Sequence, residues 1–177
     1  MEEMRFVLAG FGGQGLLFGG KVIAYAGLIE NRHLSWLPSY GPEMRGGTAN
    51  CSVTLSDEAI GSPLVTDPTG IIVMNQPSLD KFEPTVVPGG TIIVDSALTN
   101  TPPSRDDVNA FMIPATTRAE EEGLKGLANI VCVGKLWEQT HFCERASLDA
   151  AIRKAVPARK AAMVEKNLAA LELGISI

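Results

Sequence analysis

The chain has 177 residues, of which 45% are hydrophobic and 20% charged, an ordinary balance for one globular unit. Its formal net charge is −5 and its isoelectric point is near 5.1. Such a chain has no general attraction for polyphosphates, which excludes nucleic acid as an expected partner. We therefore interpret residues 1–177 as a single domain.

The first ten residues, MEEMRFVLAG, begin with acidic side chains and continue as a short apolar run. A secretory signal needs a basic start and a longer apolar core, and a membrane span needs about 18 consecutive apolar residues. Neither pattern is present in the sequence, so we expect a cytoplasmic protein without a membrane partner.

The thiol and imidazole groups do not form a predicted site. Cys51, Cys132 and Cys143 lie far apart without C-x-x-C spacing, which is typical of buried thiols in a reducing compartment. An iron–sulfur cluster usually needs four thiolates, so any cluster is expected on another polypeptide. His33 and His141 have neither metal-ligand spacing nor the partners of a catalytic nucleophile, and we interpret both as structural.

The first third of the chain predicts strands that alternate with a helix. The apolar run 5–9 predicts a buried strand, and residues 15–29 predict a mostly apolar helix. A short second strand is expected at 35–37, ended by Pro38. Alternating apolar positions over 48–55 predict a half-buried strand that can pair in the antiparallel sense.

The middle of the chain contains two continuous apolar runs, 70–74 (GIIVM) and 91–95 (TIIVD). Such runs are typical of central strands that are covered on both faces. A short helix is expected between them at 78–82, and a further strand at 110–113.

From residue 127 onward the pattern is helical. Ser147 is predicted to cap one helix, and Pro157 is predicted to begin a last helix that Gly174 ends. The alternation of strands and helices predicts an α/β protein, a Rossmann-like three-layer domain with a mostly parallel sheet.

A glycine-rich loop follows the first predicted strand and precedes the first helix. It fits the pattern G-x-G-x-x-G, and its candidate cofactor-binding residues are Gly10, Gly12, Gly13, Gln14 and Gly15. Glycines allow a tight turn and let a ligand approach the backbone, while the helix N-terminus behind them offers unpaired N–H groups to an anion.

The rest of a dinucleotide fingerprint is missing. A NAD site needs an acidic residue at the end of the second strand, and the sequence there, HLSWLP, contains no carboxylate. Glu30 is close in sequence but is expected at the helix end. Three interpretations stay open for the loop: close strand–helix packing, a phosphate- or carboxylate-bearing ligand, and a partner chain pressed against it.

A second loop, residues 38–50 (PSYGPEMRGGTAN), mixes turn-forming residues with charged, aromatic and small polar ones. Arg45 can form a forked contact with a carboxylate or phosphate, and Glu43 can orient it. The alternative is a surface Glu/Arg pair. The candidate binding residues of this loop are Tyr40, Gly41, Glu43, Arg45, Gly46, Thr48 and Asn50.

The two loops together are more specific than either alone. The sequence GFGGQG, followed by PSYGPEMRGGTANC, resembles the gamma subunits of the 2-oxoacid:ferredoxin oxidoreductases of the pyruvate, 2-oxoglutarate and branched-chain type. The likeness continues through MNQPS at 74–78, Asn129-Ile130 and the final helix, and so covers nearly the whole chain. Indolepyruvate ferredoxin oxidoreductases have a similar subunit, but their second loop differs from YGPEMRGG.

The resemblance implies a subunit of an enzyme complex that has no activity alone. The family couples a 2-oxoacid to coenzyme A with decarboxylation and passes electrons to ferredoxin. The resemblance also implies that thiamine diphosphate and iron–sulfur clusters lie on other subunits. The expected partners are alpha, beta and ferredoxin-like (delta) subunits, which would form a heterotetramer with this chain. The gamma domain is expected beside the active site, at the coenzyme A path.

Two other classes of function stay open from the sequence. One is a free-standing nucleotide-binding regulatory protein that uses the glycine loop alone. The other is a scaffolding subunit without ligand contact.

Overall fold

The computed structural model describes residues 2–40 and 48–177. Within them the chain forms six strands and six α-helices, with two short 3₁₀ turns at Glu83–Thr85 and Ala158–Lys160. The strands are β1 (Met4–Phe11), β2 (His33–Tyr40), β3 (Thr48–Ser56), β4 (Gly70–Val73), β5 (Thr91–Asp95) and β6 (Asn109–Ile113). The helices are α1 (Leu16–Ile29), α2 (Gln76–Phe82), α3 (Ala115–Glu121), α4 (Ala128–Thr140), α5 (Arg145–Ala155) and α6 (Met163–Ser176).

The described strands form one sheet in the order β2-β3-β1-β4-β5-β6. β3 is antiparallel to both β1 and β2, whereas the pairs β1–β4, β4–β5 and β5–β6 are parallel. The predicted mostly parallel α/β sheet is therefore confirmed, and the antiparallel option for residues 48–55 is correct. The continuous apolar runs in β4 and β5 are fully buried, as expected for central strands.

Helices cover both faces of the sheet, in unequal amounts. On one face, Phe6 and Leu8 of β1 pack with residues of α1, α3, α4, α5 and α6. On the other face, Val7 and Ala9 of β1 pack with Leu79 of α2 and with alternate residues of β4 and β5. The first face, here called the α1 face, carries the larger core, and the second, the α2 face, carries a thin layer over β1, β4 and β5.

The α2 face of β2 and β3 has no helix against it among the described residues. Asn50 and Ser52 are only half-buried and Ser39 is exposed, while the neighbouring Cys51 and Val53 are buried on the α1 face. On that side Ser39, Asn50 and Ser52 therefore form a polar, open stretch near the carboxyl edge of the sheet, whereas Thr54 further along β3 is buried.

The second strand is longer than predicted. β2 continues to Tyr40 and passes through Pro38, which pairs in register with Cys51 of β3. The expectation that Pro38 ends the strand is wrong, because β2 is an edge strand, and proline is tolerated where a backbone N–H has no partner strand to reach.

Two helix boundaries near the C-terminus also differ from expectation. α5 begins at Arg145, after Glu144, so Ser147 lies inside it and caps nothing. α6 begins at Met163 rather than at Pro157, and it continues past Gly174 to Ser176. Gly174 instead allows close packing, because a Cβ there would overlap the carbonyl oxygen of Val131 in α4. Within the described residues no helix has the length and apolarity needed to cross a membrane.

Candidate functional site

The two predicted loops lie at the same edge of the sheet. The parallel strands β1, β4, β5 and β6 all end at this carboxyl edge, and β3 begins there, with Thr48 paired to Phe11. β2 ends beside it, with Tyr40 paired to Ala49. The chain order thus brings the glycine loop and the end of the second loop to one edge of the sheet, where they lie on opposite faces.

Backbone conformation explains the glycines of the first loop. Gly13 and Gly15 have φ values of 89° and 76°, in the left-handed region that glycine adopts without strain. A Cβ at Gly10 would overlap the Oε1 atom of Gln14, so this position needs a hydrogen in place of a side chain. Gly12 and Gly13 are exposed, and a Cβ at Gly13 would meet no atom within 4 Å, so the loop is open to solvent there.

Gln14 uses its side-chain amide inside the protein. Its Oε1 accepts a hydrogen bond of 2.6 Å from the backbone N–H of Phe11, and its Nε2 donates one of 3.1 Å to the carbonyl of Met74. The side chain therefore closes the loop and ties the end of β1 to the end of β4. The amide groups of Gln14, a candidate cofactor-binding residue, are therefore engaged within the protein.

A cleft of about 260 Å³ opens beside the glycine loop. Gly13 and Gln14 form one wall of this cleft, and the start of α4 with the loop before it forms the other. Its apolar lining is Met74, Leu98, Ala119 and Ala128, and its polar lining is Thr116, Glu120, Lys125 and Gly126. The volume is just under the roughly 300–1,000 Å³ of typical small-molecule pockets, so the cleft suits part of a large ligand.

The electrostatics of the cleft favour an anion at one end. Lys125 is exposed and makes no ion pair with the described part of the chain. α1 and α4 both begin beside the cleft, and neither has a side-chain cap or an acidic residue in its first turn. Neither helix therefore compensates its dipole with a residue of its own first turn, although the carboxylate of Glu120 also lines the cleft.

Sequence reasoning missed the wall formed by α3 and the α3–α4 loop. Thr116 is held by Asp95 of β5, whose buried carboxylate accepts hydrogen bonds from the backbone N–H of Thr116 at 3.2 Å and from its hydroxyl at 2.6 Å. The only sequence signals were the Asp95 at a strand end and the glycines at 123 and 126, which both have positive φ. Neither signal by itself indicates a binding wall.

The fold argues against a dinucleotide in the usual position. α1 covers one face of the sheet and α2 the opposite face, so the β1–β4 boundary is the topological switch point where such folds bind ligands. The Gln14 side chain spans this boundary. β2, moreover, is separated from β1 by β3, which places its end one strand spacing of about 4.8 Å further away and without a carboxylate.

The residues of the second predicted loop divide into two groups. Thr48 and Asn50 pair with Phe11 and Ala9, whose side chains lie on the α2 face, so they face away from the cleft. Tyr40 is placed by its backbone as the last residue of β2. Gly41, Glu43, Arg45 and Gly46 lie outside the described residues.

Comparison with known proteins gives one consistent family. Residues 5–177 match the family model described as pyruvate ferredoxin/flavodoxin oxidoreductase. The ketoisovalerate oxidoreductase subunit VorA of Methanothermobacter thermautotrophicus is 41% identical over 97% of this chain and 36% of its own length. The chain therefore spans about a third of the length of this curated relative.

Solved structures give the same fold. The keto/oxoacid ferredoxin oxidoreductase gamma subunit from Geobacter sulfurreducens is 26% identical, with a TM-score of 0.87 over 99% of this chain and 96% of that one. The 2-oxoglutarate:ferredoxin oxidoreductase from Magnetococcus marinus, with 2-oxoglutarate, coenzyme A and succinyl-CoA bound, also gives a TM-score of 0.87, over 99% of this chain and 31% of that one. Its identity is 21%, so it supports the fold alone.

Proposed function

The chain belongs to the pyruvate ferredoxin/flavodoxin oxidoreductase family, and from this membership we propose that it is the gamma subunit of a 2-oxoacid:ferredoxin oxidoreductase whose glycine-loop cleft receives part of coenzyme A. Its homologues are subunits of such enzyme complexes, which agrees with the resemblance found in the sequence. The complex would carry out coenzyme A-dependent oxidative decarboxylation of a 2-oxoacid with transfer of electrons to ferredoxin. We also propose that residues 1–177 form one domain and that the protein is cytoplasmic.

The cleft beside the glycine loop is the observation that carries the coenzyme A proposal. Coenzyme A joins a 3′-phosphorylated ADP to a narrow pantetheine arm, in which short aliphatic segments alternate with amide groups. The cleft offers an exposed ammonium group at Lys125 and two helix N-termini, next to an apolar lining that includes Met74, Leu98 and Ala128. A ligand that joins phosphate groups to a narrow arm matches this arrangement.

The redox and thiamine chemistry is proposed for the alpha, beta and ferredoxin-like partner subunits. Among the described residues, no three Cys, His, Asp or Glu side chains lie close enough together to hold a metal ion. The three thiols are buried, and burial raises the pKa of Cys51 to about 12 and raises the pKa values of Cys132 and Cys143 as well. The part of this chain is to bind and orient coenzyme A at the cleft and to complete the complex.

The experiment that tests this proposal compares two lysines in the complex assembled with its partner subunits. Lys125→Ala should raise the KM for coenzyme A about tenfold, as for one lost contact to a phosphate, and should leave the KM for the 2-oxoacid unchanged. Lys81→Ala is the matched control, because Lys81 is an exposed lysine on α2 that does not line the cleft. Equal coenzyme A constants for the two variants would contradict the proposed position of coenzyme A.

The rival function, a free-standing nucleotide-binding regulator, has less support. It relied on the glycine loop as a dinucleotide site, and β2 lacks the acidic residue that such a site needs at the end of its second strand. The second alternative is that the chain is the related subunit of an indolepyruvate ferredoxin oxidoreductase.

A further inference from the structure

One side-chain hydrogen bond joins the two walls of the cleft. Asn129, the second residue of α4, donates from Nδ2 to the carbonyl oxygen of Gly15 at 2.8 Å. Gly15 directly follows the wall residues Gly13 and Gln14, and Asn129 directly follows the wall residue Ala128. The bond spans 114 positions of sequence and fixes how far apart the starts of α1 and α4 lie.

The contact is close and has consequences for both residues. A Cβ at Gly15 would come within 2.7 Å of Asn129 Nδ2, so the approach requires glycine at this position. Asn129 is only 3% exposed. The geometry therefore places a buried amide directly behind the glycine loop, out of reach of solvent.

The hydrogen bond is not needed to satisfy the Gly15 carbonyl. That oxygen also accepts the backbone N–H of Gly19 at 3.0 Å, as the first bond of α1. Asn129 itself keeps a buried Oδ1 without a hydrogen-bond partner. An unpaired buried acceptor opposes folding, so an apolar side chain of similar shape would serve stability as well or better at this position.

The other end of the loop is held independently. Gln14 ties Phe11 to Met74 through its own amide, as described above. Loss of the Asn129 bond would therefore leave the start of the loop in place and remove the direct tie between its end, at Gly15, and the start of α4. This is the part of the loop that contacts the start of α4 directly.

We propose that Asn129 is a positioning residue for coenzyme A, which sets the separation between the glycine loop and the start of α4 through its hydrogen bond to the Gly15 carbonyl. This inference rests on the proposed function, since it assigns Asn129 to the same cleft. Asn129 does not touch the ligand. It determines whether the Gly13 backbone and the Lys125 side chain can contact the ligand at the same time.

Asn167 provides a matched control within the same chain. It is also 3% exposed, its Nδ2 also donates to a backbone carbonyl, that of Met163, at 2.8 Å, and its Oδ1 is also buried without a partner. Asn167 lies on α6 and does not line the cleft. Asn129→Leu and Asn167→Leu therefore remove the same kind of interaction, in one case at the cleft and in the other away from it.

The test measures steady-state kinetics of the assembled complex together with thermal unfolding of each full-length variant. We expect both variants to melt within a few degrees of the wild type. We expect Asn129→Leu to raise the KM for coenzyme A about tenfold, with kcat at saturating coenzyme A and the KM for the 2-oxoacid unchanged within twofold. Asn167→Leu should leave all three constants unchanged.

The inference is overturned if Asn129→Leu and Asn167→Leu have the same KM for coenzyme A. If Asn129→Leu does not fold, Asn129→Ala, which removes the amide without adding a charge, is measured under the same criterion. Lys125→Ala separates this inference from the proposed function. A raised coenzyme A constant for Lys125→Ala with an unchanged one for Asn129→Leu contradicts only the positioning role, whereas unchanged constants for both contradict the cleft itself.

Discussion

The glycine loop and the side chains of the first residues of β3 lie on opposite faces of the sheet, although both are at the same edge. The loop and its cleft lie among α1, α3 and α4, where the larger core covers the sheet. Thr48 and Asn50 lie on the α2 face, where β2 and β3 have no covering helix among the described residues. The first region has the properties of a ligand site, and the second those of an open polar surface.

The comparison shows what a shared edge does and does not imply. Connections between parallel strands bring loops to one edge, so the sequence order predicts their neighbourhood. The pleat of each strand then sends successive side chains to opposite faces. Ala49 packs on the α1 face while Thr48 and Asn50 on either side of it face the other way. Two motifs of one family can therefore serve two different surfaces.

The largest effect is expected from Gly10→Ala. The added Cβ would overlap Gln14 Oε1 and lie 3.2 Å from Met74 Cβ. The Gln14 side chain must then move and lose its hydrogen bonds to Phe11 and Met74. The free energy of unfolding should fall by about 2–3 kcal/mol, which denaturant titration can measure. Gly61→Ala is the control, since a Cβ there meets no atom within 4 Å, and it should change stability by less than about 0.5 kcal/mol. If Gly10→Ala left the free energy of unfolding unchanged, the hydrogen bonds of Gln14 would not be what holds the loop.

A smaller loss is expected from Gln14→Ala. It removes the acceptor of the Phe11 N–H and the donor to the Met74 carbonyl, at a cost of about 1–2 kcal/mol in the free energy of unfolding. The same titration checks this value. If the variant gained micromolar affinity for NAD(H) in calorimetry, that result would show that the side chain alone keeps dinucleotides out. We expect no such gain, because the end of β2 still lacks an acidic residue.

Thr48→Ala and Asn50→Ala should leave the cleft unaffected. Both side chains lie on the α2 face, so the KM for coenzyme A should stay within twofold of the wild type in the assembled complex. The melting temperature should also change little, because both side chains are only half-buried. A tenfold rise in the coenzyme A constant for either variant would place the ligand across the sheet edge and remove the distinction between the two regions.

The smallest effect concerns thiol reactivity. Burial raises the pKa of Cys51 to about 12, so its thiol is neutral at pH 8 and becomes a thiolate only several units higher. Cys132 and Cys143 are raised for the same reason, and all three are buried. Alkylation of the native chain at pH 8 should therefore be negligible, and three thiols should react after unfolding. Rapid labelling of Cys51 in the native state would show that the packing between β3 and α1 opens.

Much of the fold could be predicted because apolar periodicity is a strong local signal. The continuous runs of β4 and β5 and the alternation in β3 gave the correct elements. The errors fall where tertiary contacts override local preference. Pro38 is tolerated because β2 is an edge strand, and Gly174 stays helical because α4 packs against it.

The site could be predicted only in part. The glycine loop was identified from its pattern, and two of its glycines, Gly13 and Gly15, have positive φ. Lys125, Thr116 and Asn129 could not be assigned, because they come from distant segments that the topology brings to the cleft. No signal in the sequence indicates that the amide of Gln14 bonds to Phe11 and Met74.

Hydrogen exchange of the assembled complex, with and without coenzyme A, tests the difference between the two regions most directly. The account predicts that coenzyme A slows amide exchange at residues 12–18 and 125–130, on the two walls of the cleft, and leaves residues 48–53 of β3 unchanged. Slower exchange at residues 48–53, with none at the glycine loop, would contradict the assignment of the ligand to the cleft.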